Sequence, residues 1–483
     1  MTKHTKIVAT ISDKRCDIDF IKQLFEAGMN VVRMNSAHLN EEGFQRIITN
    51  TRAVSNQIAI LMDTKGPEVR TTKTLGEQDI YIKTGDTIQI IGNPEQETTP
   101  TCIAVSYTNI VKDLHVGDDI LVDDGEIDFK VIEKHSDYLL CEALNDGKLG
   151  SRKSVNVPGV RINLPSLTER DKVNIHYAVQ QKIDFIAHSF VRNKKDILDI
   201  QEILDKENSD IKIIAKIENQ EGVDNIDEIL EVAYGIMVAR GDLGIEVAQE
   251  KIPGIQRVLI RKSVCARKPV IVATQMLHSM IQNPRPTRAE VTDIANAIYY
   301  RTDAIMLSGE TAYGKYPVEA VRTMSKIAEE AEKTKIPDND IRIPYNTAAP
   351  DVTSFLAKQA ADAAVSIGTK AIITDSYTGK TARYLAAYRS TNPVLSICYS
   401  EPIMRSLALS YGVFPIYQEE QENARKYFFN ALNVLLEKQW IAEDDYVSYL
   451  SGSYGAGFGT SFLEINQIKK LFAGNKKLVL PNF

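Results

Sequence analysis

No apolar run in this chain approaches the roughly 18 residues of a membrane-spanning helix, so no helical span is expected. The amino end, Met1-Thr2-Lys3-His4-Thr5-Lys6, leads straight into strand-like sequence without the apolar core of a signal peptide. Cysteine is sparse. The five present (Cys16, Cys102, Cys141, Cys265 and Cys398) are scattered, odd in number and without metal-site spacing, which argues against a disulfide framework or a thiolate metal centre. An excess of positive charge is missing too. The 57 Lys and Arg face 64 Asp and Glu, giving a net charge of -7 and a pI near 5.7, so the surface as a whole has no attraction for nucleic acid or anionic membrane. Low-complexity tracts and short-period repeats are also absent. What remains is a globular chain of 483 residues, 43% hydrophobic, with room for two to four domains and a cytoplasmic location as the expectation.

Short apolar runs alternate with helix-like segments. Runs at 6–11, 31–34, 59–62, 185–187, 212–215, 235–238, 270–273 and 304–307 read as strands buried on both faces, as in a parallel sheet. Segment 17–27 reads as a helix closed by Gly28, and 317–332 as one opened by Pro317. Eight βα units in series predict a closed (β/α)8 barrel. One interruption of roughly 90 residues follows the third strand, far beyond an ordinary βα loop. Its short β-like runs (88–91, 120–122, 129–132) and turns such as Asp123-Asp124-Gly125 predict a small inserted β-barrel domain placed to act as a lid. After 341–345 the rhythm restarts: a helix at 353–366, then strands at 371–374, 394–398, 413–416, 446–450 and 477–480 predict an open α/β sheet. The expected division is a barrel over 1–70 and 161–343, a lid over 71–160, and a C-terminal regulatory domain over 344–483.

Polar residues cluster where the barrel strands end, which is where ligands bind on such folds. They are Arg33 and Asn35; Asp63, Lys65, Glu68 and Arg70; Ser189 and Arg192; Lys216 and Glu218; Asp242; Thr274 and Gln275; Ser308 and Glu310. This set offers no Ser-His-Asp or Cys-His pair. Two carboxylates on neighbouring strand ends beside a lysine suit a hard divalent cation next to a phosphate, and the whole mixture suits phosphoryl transfer. A lone Lys-x-Glu is ordinarily a surface ion pair. Asp242 on the next strand shifts that reading toward catalysis.

Six stretches then match one family in order. They are Met62-Asp63-Thr64-Lys65-Gly66-Pro67-Glu68-Val69-Arg70, Lys216-Ile217-Glu218-Asn219, the segment 237–244, Ala273-Thr274-Gln275-Met276-Leu277, Pro284-Arg285-Pro286-Thr287-Arg288-Ala289-Glu290, and Met306-Leu307-Ser308-Gly309-Glu310-Thr311-Ala312. Over essentially its full length the chain resembles the pyruvate kinases. The resemblance implies phosphoryl transfer from phosphoenolpyruvate to ADP, giving ATP and an enolate that is protonated to pyruvate, the last step of glycolysis. It implies Glu218 and Asp242 as ligands of Mg2+ (or Mn2+), and Asn35, Asp63 and Thr64 as ligands of K+. Lys216 and Arg33 would be catalytic, with Thr274, Ser308 and Glu310 on the side of enolate protonation. Arg33, Lys216, Gly241, Asp242 and Thr274 would meet the substrate, and Asn35, His38, Arg70 and Arg170 the nucleotide. A phosphorylated allosteric effector would bind at Thr374, Ser376, Thr378, Gly379, Lys380 and Thr381, faced by the loop 452–459, unless this is an ordinary βα turn. A homotetramer is implied as well.

The chain departs from the family pattern in places. Asn35-Ser36-Ala37-His38 has its serine one position early, and alanine stands where the family's monovalent-ion serine would be. Ser12, Tyr313 and Arg301 read as tolerated surface changes, and His38 and His188 as structural. Two other readings stay open from sequence: a magnesium-enolate lyase or aldolase on a similar barrel, and a protein that binds phosphoenolpyruvate or a sugar phosphate without turnover.

Overall fold

In the computed structural model, which describes residues 3–37, 39–334, 343–344, 351–419, 424–452 and 459–477, the eight apolar runs pair in parallel and close on themselves. The barrel strands, first to eighth, are Lys6–Thr10, Val31–Asn35, Ala59–Asp63, Phe185–His188, Lys212–Ile217, Gly235–Ala239, Val270–Ala273 and Ala304–Leu307. Side chains alternate across a strand, so one parity faces the barrel axis and the other the surrounding helices. Val8, Val31, Leu61, Phe185, Ile214, Met237, Ile271 and Met306 share the inner core, while Ile7, Val32, Ile60, Ile186, Ile213 and Val272 pack outward with the helices. The inner parity, continued upward, carries Val31 to Arg33, Leu61 to Asp63 and Ile214 to Lys216. The rhythm that fills the core therefore also aims the charged residues at one rim.

Helix starts are chemically marked. Asp17 caps Ile18–Glu26 by accepting from Phe20 N, and Thr168 and Thr287 form reciprocal capping boxes with Asp171 and Glu290. Gly28, just past the first helix, has φ +116°. No helix among the described residues is long and apolar enough to cross a membrane.

The interruption after the third strand folds as a seven-stranded sheet with its own core around Ile90, Ile120, Val122, Phe129 and Leu139. An antiparallel bridge between Thr71 and Val105, with Thr72 N donating to Ala104 O at 2.9 Å, joins the two edges of that sheet and closes it as a small barrel. The C-terminal part is a five-stranded sheet. Ala371–Ser376, Val394–Cys398, Val413–Tyr417 and Tyr446–Ser451 run parallel, and Phe462–Gln467 pairs antiparallel with the last of these. Leu409 and Ala408 of this part plug the lower end of the barrel core.

Two expectations need correction. Lys477, expected to open a strand, ends helix Ile468–Lys477, and the remainder of that stretch, 478–480, lies outside the described residues. The fifth strand is Phe462–Gln467 instead. Arg301 is no surface change: it is buried, at φ +74°, and its carbonyl accepts from Arg389 of the C-terminal part.

Gly235 opens the sixth strand, where a Cβ would lie 2.5 Å from Pro269 O. The obstacle is backbone, which cannot swing aside. Gly235→Ala is expected to cost about 1–3 kcal/mol, read as a lower urea midpoint with unchanged slope.

Candidate active site

Arg33, Asp63, Lys216 and Glu218 meet at the upper end of the barrel, all nearly excluded from water. Arg33 clamps Asp63 with a two-point contact, its Nε at 3.0 Å from Oδ1 and its Nη2 against Oδ2, while Nη1 donates to Thr10 Oγ1 at 3.0 Å. Lys216 Nζ lies 2.8 Å from Glu218 Oε1, 3.3 Å from Asp63 Oδ2 and 2.9 Å from Ser189 Oγ. Glu218 Oε2 accepts from Phe190 N at 2.7 Å.

Burial alone would lower the Lys216 ammonium, but Glu218 and Asp63 beside it prevail and hold its pKa above the usual value. Burial would likewise raise Asp63, and Arg33 and Lys216 hold it below its normal range instead. Glu218 is pushed up to about 7 by burial, with Asp242 adding like-charge repulsion and Lys216 opposing both. Once Glu218 is ionised, two cations face three carboxylates, leaving one negative charge uncompensated. This fits a divalent cation of the kind that takes one or two protein carboxylates and leaves its other positions to substrate. Among the described residues no three His, Cys, Asp or Glu side chains come together as an all-protein metal cage.

Next to this cluster is a cavity of about 770 Å³, lined by Gly241, Asp242, Thr274, Ser308, Glu310 and Tyr313. Gly241 lies in the first turn of helix Arg240–Glu246, and its N–H donates to Thr274 Oγ1 at 2.8 Å. Thr274 and Gln275 are held at φ +68° and +54°. For a β-branched residue that conformation is strained, at roughly 1–3 kcal/mol, and such strain gathers at functional sites. Arg240 maintains it, donating to Thr274 O at 2.6 Å while anchored to Asp293 at 2.8 Å. Glu310 is buried, with one oxygen accepting from Leu277 N at 3.2 Å and the other from Ser308 N at 2.7 Å, so it sets the backbone on which Ser308 sits.

Thr64 Oγ1 lies 3.1 Å from His188 Nδ1 and accepts from Ser189 N, and its carbonyl accepts from Ser189 Oγ. His188 is buried, which pushes its pKa down to about 4 and keeps the ring neutral. Asn35 Oδ1 accepts from Ala37 N at 3.1 Å, and the neighbouring Ser36 Oγ is buried without a hydrogen-bond partner. Arg170 donates to Ser36 O and Leu39 O, bracing this loop. Arg70 pairs with Glu68 at 2.6 Å where the inserted unit begins. His38 lies outside the described residues.

One residue at the mouth was missed from sequence. Asp124, read only as part of a turn, comes from the inserted unit and lines the cavity together with Asp242 and Thr274. It also lines a second cavity of about 700 Å³ between that unit and the barrel.

Residues 2–321 match the family described as pyruvate kinase, barrel domain, and residues 355–465 match pyruvate kinase, alpha/beta domain. The chain belongs to the pyruvate kinase family. It is 47% identical over 479 residues to a pyruvate kinase of Borreliella burgdorferi, covering 98% of this chain and 99% of that one. To a pyruvate kinase of Geobacillus stearothermophilus it is 42% identical over 481 residues, covering 98% and 82% respectively. The crystal structure of a pyruvate kinase from Cryptosporidium parvum superposes with a TM-score of 0.90 at 34% identity, covering 97% of this chain and 96% of that one. As in a pyruvate kinase, the chain combines a closed eight-stranded barrel with an α/β part.

The second region read from sequence, the Thr374–Thr381 turn, divides in the structure. Thr374 and Ser376 are buried within strand Ala371–Ser376, whereas Thr378 and Lys380 are exposed around Gly379, which takes φ +76° ahead of helix Lys380–Ala387. Thr381 Oγ1 lies 2.8 Å from Thr460 Oγ1, and residues 453–458 of the facing loop lie outside the described residues.

Proposed function

We propose that this protein is a pyruvate kinase in activity as well as family, transferring the phosphoryl group of phosphoenolpyruvate to ADP in the last step of glycolysis. The observation that carries the reading is Lys216, a buried ammonium held between Glu218 and Asp63 beside the cavity of Gly241, Asp242 and Thr274. The bond from phosphorus to the enol oxygen breaks as one to the ADP phosphate oxygen forms. Lys216, and Arg33 beside it, neutralise the charge that builds on the phosphoryl oxygens in a site from which water is largely removed. Gly241 and Thr274, linked by the Gly241 N–H to Thr274 Oγ1 bond, are assigned to the substrate carboxylate together with Asp242. The enolate left behind takes its proton at carbon, on the side lined by Thr274 and Ser308, with Glu310 fixing the Ser308 backbone. Arg70, Arg170, Asn35 and His38 are assigned to the nucleotide.

Glu218 and Asp242 are the residues that would hold Mg2+ or Mn2+, which when bound supplies further neutralisation of phosphate and carboxylate charge. Asn35, Asp63 and Thr64 are assigned to K+. In the same reading 1–70 and 161–343 form the catalytic barrel, 71–160 its lid and 344–483 a regulatory unit. The exposed part of the 374–381 turn receives a phosphorylated effector, and the enzyme is a cytoplasmic homotetramer.

The test is pyruvate formation from phosphoenolpyruvate and ADP with magnesium, with and without potassium. Turnover raised by potassium is expected. Turnover indifferent to potassium would remove the monovalent-site assignment, and none with either ion would remove the activity. Restoring the family's hydroxyl by Ala37→Ser is expected to lower the potassium concentration for half-maximal activation several-fold. That shift is roughly 1 kcal/mol of added ion binding.

A further inference from the structure

At the opposite end of the barrel from the active site, a cavity of about 490 Å³ opens between the strand starts and the C-terminal unit. Lys212 begins the fifth strand, and Tyr234 and Lys268 precede the sixth and seventh. Across from them stand Lys380, Arg383 and Tyr384 of helix Lys380–Ala387.

The cleft carries more positive charge than its own carboxylates answer. Its acidic lining residues, Asp205 and Asp210, are both exposed. Lys212, Lys268, Lys380 and Arg383 make no ion pair among the described residues. Lys268 donates to the carbonyls of Ala233 and Glu231, and Arg383 to Tyr234 Oη at 3.4 Å and Thr378 O at 3.3 Å. A fifth cation, Arg267, pairs with Asp351 at 3.7 Å and keeps its Nε buried with no hydrogen-bond partner.

Two tyrosine faces hold three of these cations in place. Arg383 lies over Tyr234 at 4.9 Å, and Arg267 and Lys380 lie over Tyr384 at 4.8 and 5.4 Å. Stacking of this kind fixes the charged heads before a ligand arrives, so less side-chain entropy is lost on binding. The volume is in the range of small-molecule sites.

We propose that this cleft binds a multiply charged phosphate compound, held by Lys212, Lys268, Lys380 and Arg383 and bridging the barrel floor to the C-terminal unit. The protonation energetics agree. Burial, with Arg383 adding to it, pushes Lys268 down to about 8, and burial also lowers Lys212, partly offset by Asp210. The negative charge of a bound polyanion would oppose both shifts and favour the charged ammonium groups. The site lies at the other end of the barrel from Lys216 and shares only Lys380 with the 374–381 turn, so it stands apart from the catalytic reading and from the effector turn.

The test is isothermal titration of the full chain with inorganic pyrophosphate, at low salt and with a chelator present so that metal-dependent binding at the catalytic end is removed. Saturable binding is expected, weakened at least tenfold in Lys212→Gln/Lys268→Gln and retained in Thr378→Ala. Thermal unfolding establishes that the variants are folded. Amine labelling of the wild-type chain supplies a check without mutation: pyrophosphate should protect Lys212, Lys268 and Lys380 while the exposed Lys22 stays reactive. Equal affinity in the double variant, no binding by the wild-type chain at millimolar pyrophosphate, or unprotected lysines would each overturn the proposal.

Discussion

Lys216→Ala is expected to lower kcat by about a thousandfold or more while the protein still binds magnesium. The first half follows from where the ammonium sits. It is buried and already fixed by Glu218, Asp63 and Ser189, so it needs no reorganisation as charge develops on a phosphoryl group. One preorganised neutral donor in such a place is worth about two to three powers of ten, and a desolvated cation more. The second half follows from the charge balance of Arg33 and Lys216 against Asp63, Glu218 and Asp242. Removing the lysine leaves the carboxylates more negative, so affinity for a divalent cation is expected to hold or rise. Stopped-flow turnover together with metal titration separates the two quantities. A variant that loses magnesium in step with turnover would place Lys216 in metal retention rather than in transition-state stabilisation.

The barrel was readable from sequence because its strands are buried on both faces, which makes them stand out as continuous apolar runs between helical segments. The rim was readable for a related reason. Lys216 and Glu218 carry on the inward parity of Ile214, so a charge at the end of an apolar run already points at the mouth. Other features left no such trace. Phe462–Gln467 is a half-buried strand without clear alternation, and its antiparallel pairing breaks the βα rhythm that located the rest. Asp124 reaches the site only through the placement of a whole inserted unit, which no local pattern encodes. The inner bonds of Glu310 and the strained Thr274 also depend on contacts across strands. Arg301 was misread because burial by the C-terminal unit is a long-range fact, invisible in Tyr300-Arg301 itself.

Asp303→Ala is expected to destabilise the junction between barrel and C-terminal unit by about 3–5 kcal/mol. Asp303 stands just before the eighth strand, at the barrel floor, and its carboxylate is shared by both sides. One oxygen accepts from Tyr411 N at 3.1 Å, and the other from Val270 N at 3.1 Å and from Arg389 Nη2 at 2.8 Å. The Arg389 side chain is 1% exposed and stacks on Tyr411 at 4.7 Å, so it has no route to water when its partner is cut away. The cost is that of an uncompensated buried charge and two orphaned amides, not of the pair itself. Replacing both partners, as Asp303→Ala with Arg389→Met, should therefore recover the part due to the buried charge and leave the cost of the two amides. A thermal scan is expected to show a lowered transition for the single variant and a partly restored one for the double. If the double variant is as unstable as the single, the amides at Val270 and Tyr411, rather than the ion pair, carry the junction.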